Sequence, residues 1–354
     1  MKYRIFTTSK KAWGGMLDAI SSARKSVYME MYMFDNDTPK YDFLSALENK
    51  AKSGVSVVII LDMLGSRTLN EAVTLRLRAA GAEVLFFSSW LRRTHKKMLI
   101  VDERVAFVGG VNIKKYLAFW KDLQIRVTGR AVRNIVGSFA MMYHQCGGQG
   151  EYLKNIDYIS PIRKTRLWFV ERGIGKHQHN LRKYYMEHID AAEKRIVIVT
   201  PYLLPPRWLT AHIHQALLRG VSVEILLPEA SDHRSANILN RSFASFFSSL
   251  GAKCLFAPGM NHAKAMLIDD KSAIIGSQNL DFISFEWNME AGVFFDDPRT
   301  VKRLADIINE WKKDARVFGM ADTTNGARIG KSGLHWYHFV GTFLLRIFGL
   351  LPLW

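Results

Sequence analysis

The chain has 354 residues, 48% of them hydrophobic, with 49 Lys and Arg against 32 Asp and Glu and only two cysteines. Its length is near twice that of a ~150-residue domain and its apolar content supports a large core, which excludes a mini-protein, a collagen-like chain and a disordered one. Cys146 and Cys254 are too few for a disulfide framework or an all-cysteine zinc site, so reduced thiols are expected; the formal charge of +17 favours anionic partners, nucleic acid or acidic lipid headgroups, without choosing between them.

In chain order, residues 1–10 lack the apolar run of a signal peptide, and no apolar span of membrane length precedes residue 330. An apolar run at 27–34 predicts a strand and the periodicity of 41–52 a helix. Gly54-Val-Ser-Val-Val-Ile-Ile-Leu-Asp62 then predicts a buried strand, and after a further helix so does Gly81-Ala-Glu-Val-Leu-Phe-Phe87. Cys146-Gly-Gly-Gln-Gly150 reads as the start of a linker and 172–180 as a loop. The order then repeats: a run at 196–204, a helix at 209–219, Gly220-Val-Ser-Val-Glu-Ile-Leu-Leu-Pro228, and Gly251-Ala-Lys-Cys-Leu-Phe-Ala257. The offset is 166 between Gly54 and Gly220 and 170 between Gly81 and Gly251. A duplicated strand–helix–strand order predicts an α/β fold of two similar halves, each a mixed sheet flanked by helices, at 1–150 and 151–320, followed by a linker and apolar tail at 321–354.

Within the repeat lies a polar constellation. Thr94-His95-Lys96-Lys97-Met98-Leu99-Ile100-Val101-Asp102 with Gly109-Gly110-Val111-Asn112 returns as Asn261-His262-Ala263-Lys264-Ala265-Met266-Leu267-Ile268-Asp269 with Gly276-Ser277-Gln278-Asn279. His, Lys, Asp, Gly and Asn all recur at an offset of 167. In a strand of period two, His95 and Lys97 share one face, as do His262 and Lys264. A hairpin turning about Glu103-Arg104 sets Asn112 beside His95, and one about Asp270-Lys271 sets Asn279 beside His262. Asp122 follows His95 by 27 residues and Glu290 follows His262 by 28. Each carboxylate is a candidate to take the Nδ1 proton of the imidazole, fixing its tautomer.

The doubled pattern His-x-Lys, Asp, then Gly-(Gly/Ser)-x-Asn closely resembles the paired signature of the phospholipase D superfamily over nearly the whole chain to about residue 318. Trp120-Lys-Asp122, Thr200-Pro-Tyr202, Gly276-Ser-Gln-Asn-Leu-Asp281 and Asn288-Met-Glu290 look like bacterial cardiolipin synthases. The resemblance implies one active site between two α/β halves, needing neither metal nor cofactor. His95 would be the nucleophile, forming a phosphohistidine, and His262 the acid for the leaving alkoxide and the base for the incoming alcohol. Lys97 and Lys264 would hold the non-bridging oxygens together with Asn112, Asn279 and Ser277. Asp102 and Asp269, the last members of the catalytic motifs, stand at the far strand ends, where turn-fixing or orienting roles fit better than proton transfer. Gly110 departs from the Ser common in the wider family, which removes a hydroxyl that Ser277 keeps.

The function implied is a membrane-associated phosphatidyltransferase joining two molecules of phosphatidylglycerol into cardiolipin and glycerol, on the cytoplasmic side of a bacterial membrane. A phospholipase D-type hydrolase or a metal-independent nuclease is the alternative, the latter served equally by the positive charge. Residues 334–354 could reach about 31 Å as a helix. Yet Arg346, two His, Gly349 and Pro352 favour an interfacial or re-entrant anchor over a free span. Gly330-Lys331-Ser332 lacks the earlier Gly and strand of a P-loop, and His177/His179, His212/His214 and His144/Cys146 lack further ligands at zinc spacing. Trp90 and Trp208 beside arginines read as core residues rather than interfacial anchors.

Overall fold

The computed structural model describes residues 3–38, 40–156, 166–174 and 180–319. The tail, the Gly330-Lys331-Ser332 run and His177/His179 lie outside them. The first half runs β1 (Arg4–Thr8), α1 (Ser9–Ser21), β2 (Ser26–Met31), α2 (Phe43–Lys52), β3 (Ser56–Asp62), α3 (Glu71–Ala79), β4 (Glu83–Phe87), β5 (Lys97–Val101), β6 (Val105–Gly109), β7 (Lys121–Thr128), α4 (Arg130–Gln145) and α5 (Glu151–Lys154). The second half runs β8 (Leu167–Arg172), α6 (Leu181–Asp190), β9 (Arg195–Val199), β10 (Leu203–Leu204), α7 (Arg207–Leu218), β11 (Ser222–Pro228), α8 (Arg234–Ser249) and β12 (Lys253–Ala257). It closes with β13 (Ala265–Ile268), β14 (Ser272–Gly276), β15 (Leu280–Asp281), α9 (Phe282–Glu286), β16 (Glu290–Phe295), α10 (Pro298–Lys312) and β17 (Arg316–Val317).

The sheet orders, β4-β3-β2-β5-β6-β7-β1 and β12-β11-β9-β13-β14-β16-β8, correspond strand for strand, with β17 added at the outer edge of the second. Both sheets are mixed: β2, β3 and β4 are parallel, as are β9, β11 and β12, and the hairpins β5–β6 and β13–β14 join them antiparallel. The duplicated α/β architecture is therefore as the repeat predicts. Val- and Ile-rich runs such as Val57–Leu61 are buried on both faces because helices cover one side and the partner sheet the other. One core fills the outer face of each half, and a third, including α4 and α10, is shared between the sheets. Gly54 and Gly220, both at φ +84°, turn the chain out of the preceding helix through the left-handed region, the reason each strand is entered by Gly.

The hairpin register differs from the expectation by one residue. Met98 pairs with Val108 and Val101 with Val105, while Ala265 pairs with Ile275 and Ile268 with Ser272. Each turn is thus a three-residue loop with two non-glycine residues at positive φ, Asp102 and Glu103 in one half, Asp269 and Asp270 in the other. An aspartate tolerates this conformation by bonding nearby backbone. The Asp102 carboxylate accepts from the N–H groups of Arg24, Lys25 and Ser26 at 2.7–3.0 Å, and Asp269 accepts from Glu193, Lys194 and Arg195 at 2.8–2.9 Å. Burial opposes ionisation of both carboxyls, but those bonds together outweigh it and hold them below their ordinary pKa. Both aspartates fasten hairpin to sheet at the strand end remote from the histidines. Their membership of a catalytic set is corrected to a structural one.

Candidate active site

His95 lies two residues before β5 and His262 three before β13, on extended segments that leave their own sheets and pair with the opposite half. His95 N donates to Met289 O at 2.9 Å and Met289 N to Arg93 O at 2.9 Å. In the counterpart, His262 N donates to Lys121 O at 2.8 Å and Lys121 N to Met260 O at 3.3 Å. Each histidine is therefore stitched by main chain to the residue preceding the other half's carboxylate.

The side chains follow. His95 Nδ1 lies 2.9 Å from Glu290 Oε1, and His262 Nδ1 lies 2.8 Å from Asp122 Oδ2. Reading each carboxylate as the partner of the histidine upstream in its own half is thus reversed: the two pairs cross between halves. Asp122 serves His262 and Glu290 serves His95.

Burial, only partly offset by Glu290, lowers the His95 pKa to about 4, so its ring is neutral at neutral pH. Burial opposes ionisation of Glu290, but the His95 ring, Lys97 and the Ser277 hydroxyl outweigh it and hold the carboxyl below its ordinary value. With Glu290 an anion, the shared proton sits on His95 Nδ1, which donates, and Nε2 keeps its lone pair. Burial and then Lys264 lower the His262 pKa, against the pull of Asp122.

Both rings line one cleft of about 510 Å³, with Asn112, Asn279, Tyr32, Tyr202, Trp120 and Trp287 among its walls. Tyr32 meets His95 edge-on at 4.7 Å between centroids, and Trp120 lies 5.5 Å from His262. Lys97 and Lys264 are buried beside their histidines, Lys97 Nζ donating to His95 O at 2.6 Å and Lys264 Nζ to His262 O. Burial pulls both ammonium groups down, Lys264 to about 8. Asn112 Oδ1 accepts from Met33 N at 3.2 Å and its carbonyl from Trp13 Nε1 at 2.8 Å, while buried Asn279 Oδ1 lacks a partner among the described residues.

Ser277 does something other than expected. Its hydroxyl donates to Glu290 Oε2 and accepts from Ala291 N at 3.0 Å, fully buried. It steadies the carboxylate that steadies His95, and is not a phosphate ligand. The Gly110 departure has a matching cause: a Cβ there would stand 2.3 Å from Asp122 Oδ1. The shorter aspartate occupies the space a serine would need and is held by Leu123 N at 2.7 Å instead. The glycines before these positions serve close approach, since a Cβ on Gly276 would stand 2.8 Å from Ala291 O.

Three buried groups escaped the sequence reading. Asp62, its pKa pushed up to about 6 by burial, accepts from Leu64, Gly65 and Thr94 N–H groups at 2.9–3.0 Å and anchors the segment leading into His95. Lys96, fully buried, bridges halves: its Nζ donates to Glu171 Oε2 and Ser138 Oγ, both at 2.7 Å. Burial pulls Lys96 down, but Glu171 and Glu30 outweigh it and hold it above its ordinary value. Glu30, raised by burial, accepts from the Thr94 hydroxyl. Strand alternation holds the signal, for Lys96 must face opposite to His95 and Lys97, into the shared core, where its counterpart is Ala263. Trp208 donates to Glu286 Oε1 at 2.9 Å and packs on Phe285, half-buried against the core rather than within it, and Trp90 is 77% exposed and not core.

Comparison with known proteins matches residues 16–121 and 185–312 to the family described as cardiolipin synthase, PLD-like domain. The major cardiolipin synthase of Bacillus subtilis strain 168 is 31% identical over 86% of this chain and 68% of its own length. A cardiolipin synthase of Clostridium perfringens strain 13 is 28% identical over 85% and 68%. Among solved structures, phosphatidylserine synthase from Haemophilus influenzae Rd KW20 shares the fold at a TM-score of 0.75 and 14% identity, covering 99% of this chain and 95% of that one.

Proposed function

The chain belongs to the cardiolipin synthase family of phospholipase D-like proteins, and on that premise we propose that it joins two phosphatidylglycerol molecules into cardiolipin and glycerol through a phosphohistidine on His95. It is a phosphatidyltransferase acting on phospholipid. The observation that carries the finer reading is the pair of crossed histidine–carboxylate contacts converging on one cleft.

His95 Nε2, neutral and oriented by Glu290, attacks the phosphorus of the first lipid. The bond to glycerol breaks as the His262 imidazolium gives its Nε2 proton to the leaving oxygen. The substrate's own negative charge favours that imidazolium against burial. A hydroxyl of the second lipid then gives its proton to neutral His262 and attacks the phosphorus, releasing His95 and returning the proton count to its start. Lys97, Lys264, Asn112 and Asn279 meet the negative charge that develops on the non-bridging oxygens. His95, whose pKa is lowered to about 4, is suited to the nucleophile's part because it stays unprotonated and nucleophilic.

The reaction takes place on an anionic membrane surface, the cytoplasmic membrane of a bacterium. Supporting this are the net charge of +17 and the exposed Trp90, Leu91, Tyr116 and Phe119, of which Leu91 and Tyr116 line the cleft. Among the described residues no helix is long and apolar enough to cross a membrane. The test is product analysis with purified protein on phosphatidylglycerol vesicles. Cardiolipin and glycerol in equal amounts are expected, lost in His95→Ala and in His262→Ala; phosphatidic acid as the sole product would mark a hydrolase.

A further inference from the structure

The two halves differ in charge at one pair of equivalent positions beside the histidines. Two residues beyond Asn112 stands Lys114, and at the same offset of 167, two beyond Asn279, stands Asp281. All four line the cleft. Asp281 is engaged by its own helix, its Oδ1 accepting from Ser284 N at 2.7 Å at the start of α9. Lys114 Nζ donates to Thr68 Oγ1 at 2.7 Å and lies 3.3 Å from Asp35 Oδ2, to which Thr68 donates at 2.6 Å. An ammonium has three donors, so two are spoken for and one remains. Arg67, next to Thr68, lines the same cleft, as does the carboxylate of Asp232.

The wall's place relative to the histidines gives this charge a meaning. From Lys114 the chain runs through Tyr116, 5.5 Å from Trp120 between centroids, to Trp120, 5.5 Å from His262, and to Asp122, which holds that ring. Lys114 thus stands on the loop that leads to the Trp120 and Asp122 contacts of His262, the ring that serves the incoming alcohol. Asn112 and Lys114 are two residues apart on extended chain, Lys114 at φ −156° and ψ 138°, a separation of about 6.6 Å. A three-carbon glycerol with its two ester oxygens spans a similar distance between phosphorus atoms.

We propose that Lys114, braced by Thr68 and aided by Arg67, binds the phosphodiester of the second, acceptor lipid while that lipid's free glycerol hydroxyl is held at His262. This rests on the transferase reading with His262 on the alcohol side. It adds that the chain selects an acceptor already bearing a phosphate, whereas the equivalent place beside His95 carries a carboxylate.

The experiment offers phosphatidylglycerol vesicles two acceptors at once, the lipid itself and ethanol, and reads the ratio of cardiolipin to phosphatidylethanol by mass spectrometry. Lys114→Ala is expected to lower that ratio at least 10-fold, and Lys114→Arg to restore most of it. Glycerophosphoglycerol, which carries the phosphate without acyl chains, should lose ground to ethanol by a similar factor in Lys114→Ala. Equal loss of both products would overturn the proposal by making Lys114 a general structural residue. A lowered ratio with lipid but not with glycerophosphoglycerol would overturn it in favour of an effect on vesicle binding. A wild type that makes phosphatidylethanol but no cardiolipin would instead overturn the cardiolipin-forming reading beneath it, visible before any variant is compared.

Discussion

Replacing Glu290 with Gln isolates the crossed pairing, because it keeps the shape of the side chain and removes its charge. Glu290 is fully buried, with one oxygen 2.9 Å from His95 Nδ1 and the other receiving the Ser277 hydroxyl. When Nε2 bonds to phosphorus and Nδ1 keeps its proton, the ring becomes a cation beside that carboxylate. A charge-assisted hydrogen bond contributes about 1.5–3 kcal/mol, and unit charges 4 Å apart at an effective dielectric of 20 attract by about 4 kcal/mol. At 1.36 kcal/mol per decade, a loss between these limits lowers kcat by about 10- to 10³-fold. Single-turnover release of glycerol from phosphatidylglycerol reads the first step directly, and a melting curve controls for unfolding. ¹⁵N-histidine NMR supplies the positional readout: Glu290→Gln should perturb the Nδ1–H resonance of His95 and spare that of His262, with Asp122→Asn doing the reverse. A Glu290→Gln enzyme within threefold of wild type, or a perturbation centred on His262, would refute the reasoning.

The pH profile of kcat/KM should have an acid limb near 4, since neutral His95 is the active form and is lost below its pKa, and an alkaline limb below the ordinary imidazole value, since the His262 imidazolium is the acid of the first step and burial and Lys264 lower its pKa; a plateau extending to pH 8 would contradict the second assignment. Gly110→Ser should lower activity at least 10-fold by displacing Asp122 from His262, and normal turnover in that variant would show that the carboxylate has room to move. Lys96→Met should cost about 3–5 kcal/mol in denaturant unfolding, because it strands the buried Glu171 carboxylate, and adding Glu171→Leu should recover part of the loss; a cost below about 1 kcal/mol would remove Lys96 from the half-to-half contact.

The duplicated architecture was legible because the sequence repeats strands, helices and the glycines between them at nearly constant offset, and burial on both faces demands uninterrupted Val and Ile. The hairpin register was not, since a two-residue and a three-residue turn both fit Val101-Asp-Glu-Arg-Val105 and only backbone conformation separates them. His95 could be set beside Asn112 and His262 beside Asn279 from their spacing, and the family resemblance implies one site for both pairs, but which carboxylate serves which ring depends on contacts 140 and 195 residues apart. No pattern within one half carries that information. The Ser277 hydroxyl was misread for a related reason: beside an asparagine that faces the cleft, its own direction is set by Glu290 from the neighbouring strand. Lys96 was overshadowed by the lysine that follows it, although alternation already turned it inward.

The central claim, that imidazoles from opposite halves act on the two sides of one phosphorus, is tested most directly by trapping the covalent intermediate. With a phosphatidyl ester of p-nitrophenol the leaving group needs no proton, so His262→Ala should release p-nitrophenol in a burst and keep the phosphatidyl group, found by peptide mass spectrometry on His95. A phosphatidyl group on His262 in the His95→Ala enzyme, or on neither histidine in any variant, would contradict the account.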